Sequence, residues 1–332
     1  VFYPKGGVSR VQELQMVTQK GENTSVVAIH GNFDNAQSGV KALFEDKDLE
    51  KELADAGYQF SSANSINIGR LVPQVVYYVY AYAKLLENEE IASGEEINVT
   101  VPTGNFGNIL AAYYAKQMGV PIAKLICASN ENKVLYDFFQ TGVYDKNREF
   151  ILTSSPSMDI LISSNLERLI YTVAGQDAKK NSELMAQLKE KGSYEITPEM
   201  KERLSDFEGG FATEEETKET IRTTYEKTGY VMDTHTAVAA YVCAQYRKNS
   251  GDHKKCLVAS TASPYKFIHS VMSAIDEKYA DVDEFELIDE LSRISGTTVP
   301  KAIEEIRNAE IRHKRECDAG AMKETVKEIL GV

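Results

Sequence analysis

Basic residues are in short supply in this chain. Its 332 residues carry 37 lysines and arginines against 50 aspartates and glutamates, a formal charge of −13. Such an acidic balance gives no electrostatic footprint for nucleic acid or an anionic membrane, so neither is an expected partner. Cysteine is sparse too: Cys127, Cys243, Cys256 and Cys317 lie far apart with no C-x-x-C spacing. That argues against a zinc site or a disulfide framework and fits a reducing cytoplasm. His30, His235, His253, His269 and His313 are equally scattered, and no metal-ligand cluster is expected. Long apolar runs are missing. The best membrane candidate, Leu71 to Ala83, has 13 residues, short of the about 20 that a span needs. It reads as a buried helix, with Tyr77, Tyr78, Tyr80 and Tyr82 as core or interface packing. No charged and then apolar leader opens the chain, which excludes a signal peptide there. Residue 1 is Val, and Val1-Phe2-Tyr3-Pro4 reads as the end of a strand already under way. The expectation is a processed protein or a piece of something longer.

What is present is an ordinary globular composition, 42% hydrophobic and 26% charged, able to bury a core. At roughly 150 residues per domain the length suggests about two domains, or one large α/β unit with insertions. Strand, Gly/Asn turn and helix alternate along the chain. Ser25 to His30 is a β-rich run followed by Gly31-Asn32-Phe33-Asp34-Asn35 and a helix through Phe44. Ile97 to Val101, Ile122 to Ala128 and Cys256 to Ala259 are further strands, each ending in small polar residues before a helix. Short apolar strands alternating with helices predict an α/β fold with parallel sheets covered by helices. Residues 164–247 read as mainly helical, with Thr197-Pro198 and the capping box of Thr213 and Glu216 marking helix starts. The last fifty residues, rich in Glu, Lys and Ile, read as a helical tail.

In open α/β sheets ligands bind beyond the carboxyl ends of strands, so those polar turns are the candidate sites. Thr103-Gly104-Asn105-Phe106-Gly107-Asn108 carries two glycines that leave backbone N–H groups accessible, ahead of a helix whose N-terminus favours an anion. A phosphate cradle and a plain strand-to-helix turn both fit. No Gly-Lys-Ser/Thr follows, and G-x-G-x-x-G is absent, so neither a Walker loop nor a dinucleotide fingerprint is present. Ser61 to Arg70 concentrates Asn64, Ser65, Asn67 and Arg70 before the next helix. These residues fit a ligand site or, equally, caps and a surface ion pair. Asp233 before Thr234-His235-Thr236 is a natural N-cap. The hydroxyls of Ser260-Thr261-Ala262-Ser263 suit a cap or contact with a heterocycle nitrogen.

Read together, these segments resemble threonine synthase. The resemblance rests on Pro102 to Asn108, on Asn64-Ser65-Ile66-Asn67 with Arg70, and on Ser260 to Phe267. It extends to Tyr3-Pro4-Lys5-Gly6-Gly7-Val8-Ser9 with Gln12, and to Ser155 to Ile160 through Ser163 to Arg168. It runs in order from the first residues to at least Phe267. The resemblance implies a fold-type-II scaffold dependent on pyridoxal 5'-phosphate. Residues 1–60 would be the remainder of a small domain. Residues 61–332 would be the large domain, with a helical insertion over about 164–247 and the helical tail. It implies conversion of O-phosphohomoserine and water to L-threonine and phosphate, a carbon–oxygen lyase step ending threonine biosynthesis. Gly104, Asn105, Phe106, Gly107 and Asn108 would hold the cofactor phosphate. Thr261 would lie against the pyridine nitrogen, where a hydroxyl, unlike a carboxylate, cannot hold a pyridinium proton. Ser65, Asn67 and Arg70 would bind the substrate's leaving phosphate, Arg70 through its bidentate fork. Asp233 and His235 match a family segment without an assigned role.

The family carries its Schiff-base lysine in a Phe-Lys-Asp segment, followed by a Ser-Gly-Asp-Thr-Gly turn, and neither occurs in these residues. Ser250-Gly251-Asp252 continues with His253, and Lys5 belongs to a different family segment. The resemblance therefore implies a threonine synthase without its N-terminal third, with no catalytic residue of its own assigned and no turnover alone. A competing reading is a non-catalytic phosphate- or metabolite-binding module derived from the fold. A relative acting by β-replacement is disfavoured by Gly-Asn-Phe-Gly-Asn and Arg70. The sequence carries no signal for oligomeric state. Incubation with pyridoxal phosphate and then borohydride is expected to leave no lysine stoichiometrically labelled on peptide mass mapping; full labelling of one lysine sinks this reading.

Overall fold

The apolar runs become parallel strands, as their composition requires. A computed structural model describes residues 1–61 and 64–332, with the backbone alone at positions 33, 34 and 37. Ser62 and Ala63 of the Ser61–Arg70 segment lie outside the described residues. In chain order the strands are β1 (Phe2–Pro4), β2 (Val27–His30), β3 (Ile97–Pro102), β4 (Ile122–Ser129), β5 (Val143–Asp145), β6 (Ser193–Glu195), β7 (Phe207–Phe211), β8 (Cys256–Val258) and β9 (Arg315–Asp318). Two compact units divide them: Val1–Ser61 with Val282–Val332, and Ser62–Asp281.

The first unit holds a three-stranded parallel sheet in the order β1-β2-β9. Ile29 of β2 is fully buried and packs in one cluster with Leu49, Leu53 and Met322. The turn after β2 is a capping box, Asn32 and Asn35 exchanging side-chain and backbone hydrogen bonds at 2.9 Å. A long-range contact joins the two ends of this unit. The carboxylate of buried Glu284 accepts from the N–H groups of Arg10 at 3.3 Å and Val11 at 2.7 Å, at the start of the helix Arg10–Val17. An acid there satisfies donors that the helix itself cannot.

The second unit holds a four-stranded sheet, order β7-β4-β3-β8, with every pairing parallel. All six residues of β3 are buried, as expected of a strand covered on both faces. Its one amide is satisfied: Asn98 Nδ2 donates to Asp252 Oδ2 at 2.9 Å, and its Oδ1 accepts from Lys124 N–H at 3.2 Å. The helix Gly107–Gln117 buries Ile109, Leu110, Ala111, Ala112 and Ala115 in the same core. Among the described residues no helix is long and apolar enough to cross a membrane.

Two expectations need correction, and one is met with an addition. The stretch 164–247 is mainly helical as read, and it also contains β6 and β7. Strand β7 pairs with β4 through Cys127↔Gly209 and Ala128↔Gly210, and its Gly-Gly pair hides the strand signal. The glycines are there for packing: a Cβ on Gly210 would stand 2.4 Å from Val242 Cγ1 of the helix Thr234–Ser250. The tail carries the helices Glu284–Ser295 and Met322–Leu330 as read, but it also contributes β9. It belongs with the first unit rather than the larger domain. The charged sequence Arg315-Glu316-Cys317-Asp318 disguises that strand; its Glu316 pairs with Lys5 at 2.7 Å and His30 at 2.9 Å. Finally, Leu71–Ala83 is buried on one side only. Tyr78 and Tyr82, four residues apart on the helix Val75–Glu87, turn inward, while Val76, Tyr77 and Tyr80 remain exposed.

Gly210→Ala is expected to force the helix Thr234–Ser250 off β7. Stability should fall by about 1–3 kcal/mol, read from the urea midpoint at unchanged slope; an unaltered midpoint would show that this contact relaxes freely.

Candidate active site

The loop after β3 is built against its neighbours on both sides. Thr103 begins it, donating its hydroxyl to Val101 O at 2.7 Å and its N–H to Ala128 O at 2.8 Å. Gly104 passes so close to the next segment that a Cβ would lie 2.4 Å from the Ser157 carbonyl oxygen. Only glycine fits there. The Gly104 carbonyl accepts from Ser163 Oγ at 2.6 Å. The Asn105 carbonyl accepts from Asn165 twice, from Nδ2 at 2.9 Å and from the backbone N–H at 3.1 Å.

Phe106 then adopts φ +63°, a left-handed backbone that bulky residues rarely hold. Its ring is 1% exposed and sits 6.2 Å from Phe139 and 5.9 Å from Phe207, centroid to centroid. Ring burial holds the strain in place. The helix Gly107–Gln117 starts immediately afterwards with no side-chain cap. Its first-turn N–H groups thus meet the general requirement for an anion site: unsatisfied donors at the positive end of a helix.

Asn108, in that first turn, accepts on Oδ1 from the Tyr78 hydroxyl. Burial pushes the Tyr78 phenol well above its ordinary range, so it stays a donor. With its oxygen engaged, Asn108 offers its NH2 group to a ligand. Asn108 lines a cavity of about 640 Å³ together with Ser65, Arg70, Ser260 and Thr261. Strands β3 and β8 are adjacent and parallel, so their carboxyl-end loops meet there. Among the described residues lining the cavity, Arg70 alone carries a charge.

The cavity brings together five candidate residues singled out in the sequence, Ser65, Arg70, Asn108, Ser260 and Thr261. Gly104, Asn105, Phe106 and Gly107 form the loop behind it, where a Cβ on Gly107 would lie 2.5 Å from Ser65 Oγ. Asn67 does not line it. Its Oδ1 accepts from Gly69 N–H at 3.0 Å, capping the short helix Ile68–Leu71 that carries Arg70. Ser263 is a cap too, accepting from Tyr265 N–H at 3.3 Å. Asp233 caps the helix Thr234–Ser250. Sequence reasoning missed Tyr78, which looked like packing, and Asn165, whose partners Ser65 and Asn105 are 100 and 60 residues away.

A parallel sheet with an anion-competent glycine loop at its strand ends, in a chain that also carries a smaller α/β unit, matches the fold-type-II class of pyridoxal-phosphate-dependent enzymes. Comparison with known proteins narrows this. The PLP-bound threonine synthase of Brucella melitensis superposes with TM-score 0.83 at 34% identity, covering 100% of this chain and 65% of that one. Yeast threonine synthase superposes at 0.85 and 31% identity, covering 99% and 64%. In sequence the chain is 44% identical to threonine synthase-like 1 of Macaca fascicularis over 83% of its length and 37% of that protein's. It is 36% identical to threonine synthase of Saccharomyces cerevisiae over 94% and 62%. The family model for the threonine synthase C-terminal region matches residues 236–317. The chain belongs to the threonine synthase family. It spans 37% to 65% of the length of these relatives.

Two substitutions test the left-handed position. Phe106→Ala is expected to cost about 3–5 kcal/mol through loss of the buried ring. Phe106→Gly should cost about 1–2 kcal/mol less, because glycine adopts this backbone without strain. Denaturant unfolding of both variants gives the order, and alanine proving the milder would contradict the assignment.

Proposed function

We propose that this cavity is the cofactor and substrate site of a threonine synthase. It would bind pyridoxal phosphate and the phosphate ester O-phosphohomoserine, for conversion with water to threonine and phosphate. The observation that carries this reading is a lone guanidinium, Arg70, in one cavity with Asn108 and Thr261, beside an uncapped helix N-terminus. The residues fit the cofactor. The first-turn N–H groups and the Asn108 amide would hold its phosphate, and the Thr261 hydroxyl would meet its ring nitrogen. Pyridoxal phosphate, when bound, supplies an electron sink for charge developing on the amino acid.

The chain's own side chains bind and orient. Arg70 would grip the substrate phosphate through parallel N–H donors and offset its charge as it leaves. Ser65 adds a hydroxyl, itself held by Asn165 Nδ2 at 3.1 Å. Asn67 acts from behind, by capping the helix that presents Arg70. Thr261, a hydroxyl rather than a carboxylate, would leave the ring nitrogen without a fixed proton. The cytoplasm is the proposed location, on the four free cysteines.

A second reading, a binding module without turnover, is favoured by one observation: the 332 residues contain no Phe-Lys-Asp segment. For a polypeptide of these residues alone we propose binding without turnover. Arg70→Ala should weaken binding of O-phosphohomoserine by roughly 10- to 100-fold, the worth of charged hydrogen bonds, while Arg70→Lys recovers only part. Isothermal titration decides; equal affinity in all three forms would remove Arg70 from the site.

A further inference from the structure

We propose that Asp233 and His235 are positioning residues that hold two separate loops of the candidate cofactor site in register. Asp233 is fully buried, and His235 and Thr236 nearly so. Both oxygens of the Asp233 carboxylate are engaged. Oδ1 accepts from the His235 backbone N–H at 2.9 Å and lies 3.0 Å from His235 Nδ1. Oδ2 accepts from the Thr236 hydroxyl.

The other imidazole nitrogen fixes the tautomer. His235 Nε2 lies 3.2 Å from Ser157 N, and a backbone N–H can only donate. Nε2 therefore carries no proton, and the ring proton sits on Nδ1 facing Asp233. This tautomer has one consequence for the site. Ser157 is the residue whose carbonyl lies against Gly104 at the start of the phosphate loop, and His235 holds Ser157 on its other side, through the N–H of the preceding peptide. Phe267 packs on the imidazole face, with centroids 4.8 Å apart.

A second arm runs the opposite way. Thr236 Oγ1 lies 3.1 Å from Ser260 Oγ. The Thr236 hydroxyl is the donor toward both the Asp233 carboxylate and Ser260 Oγ, and so links the two. Ser260 is thereby tied to Thr236, which fixes the loop that carries it and its neighbour Thr261 into the cavity. One buried carboxylate thus sets the Gly104 loop through His235 and Ser157, and the Thr261 loop through Thr236 and Ser260.

The inference rests on the reading of the cavity as a phosphate-ester and cofactor site, and the test separates the two. The chain is titrated with inorganic phosphate and with pyridoxal phosphate as wild type, His235→Ala and His235→Gln. Amide hydrogen exchange and the 15N signals of the His235 ring are recorded on the same samples. His235→Ala should bind both probes about tenfold more weakly, from the unsatisfied Ser157 donor. It should also speed exchange at Ser157 while leaving β5 and β6 protected. His235→Gln, which restores an acceptor, should recover most of both. The wild-type ring should show a protonated Nδ1 and a bare Nε2. Unchanged Ser157 exchange in His235→Ala, or a proton on Nε2, overturns the inference. A wild-type chain that binds neither probe overturns the cavity assignment instead, and the exchange and 15N data still decide the lock.

Discussion

The site depends on one backbone conformation. Phe106 has to sit in the left-handed region for the chain to leave β3 and enter the helix Gly107–Gln117 without a cap. Nothing local favours that in a phenylalanine. Its ring is held by Phe139, from the helix Val134–Thr141, and by Phe207, the first residue of β7. The shape of the loop is therefore a property of the core, and the uncapped helix end follows from it. Strain of this kind persists only where surrounding packing over-determines it.

A second layer holds the loop from outside. Residues 163–168 supply Ser163 to the Gly104 carbonyl and Asn165 to the Asn105 carbonyl. The same Asn165 reaches Ser65, and Arg168 ties itself to Asn165 Oδ1 at 3.2 Å and to the Ile66 carbonyl at 2.9 Å. One short segment thus fixes the β3 loop and the turn ahead of Arg70 against each other. Several hydrogen bonds converge on one amide, so they act together rather than as independent contacts.

Much of this was readable in the sequence where the signal is local. β2, β3, β4 and β8 announce themselves as apolar runs ending in small polar residues, and the polar turns after them are where the cavity forms. Capping residues such as Thr213 and Asp233 were equally legible, since a cap needs only its own next few residues. The failures are non-local. β7 has Gly209 and Gly210 because helices lie against it, Val134–Thr141 on Gly209 and Thr234–Ser250 on Gly210, far from it in the chain. β9 is charged because it is an exposed edge strand, and only its pairing with β2 and the bonds of Glu284 to the start of the helix Arg10–Val17 show that the tail returns to the first unit. Tyr78 looks like any buried tyrosine until its hydroxyl is seen on Asn108. Asn67 and Ser263 read equally as caps or ligand contacts in the sequence, because both roles use the same residue types.

The choice of ligand charge also follows from the hydrogen bonds. Around the cavity several acceptors are already engaged: Asn108 Oδ1 by Tyr78, the Gly104 and Asn105 carbonyls by Ser163 and Asn165, and Asn165 Oδ1 by Arg168. The donors it presents are the Asn108 amide, the Thr261 hydroxyl, the Arg70 guanidinium and the first-turn N–H groups. An excess of thirteen negative charges over the whole chain does little to oppose this. Charges beyond about 8 Å are screened at physiological salt, so the atoms within contact distance set the potential that a phosphate meets. An acidic protein can therefore favour an anion by satisfying its acceptors internally and leaving its donors open, with a single arginine supplying the net charge.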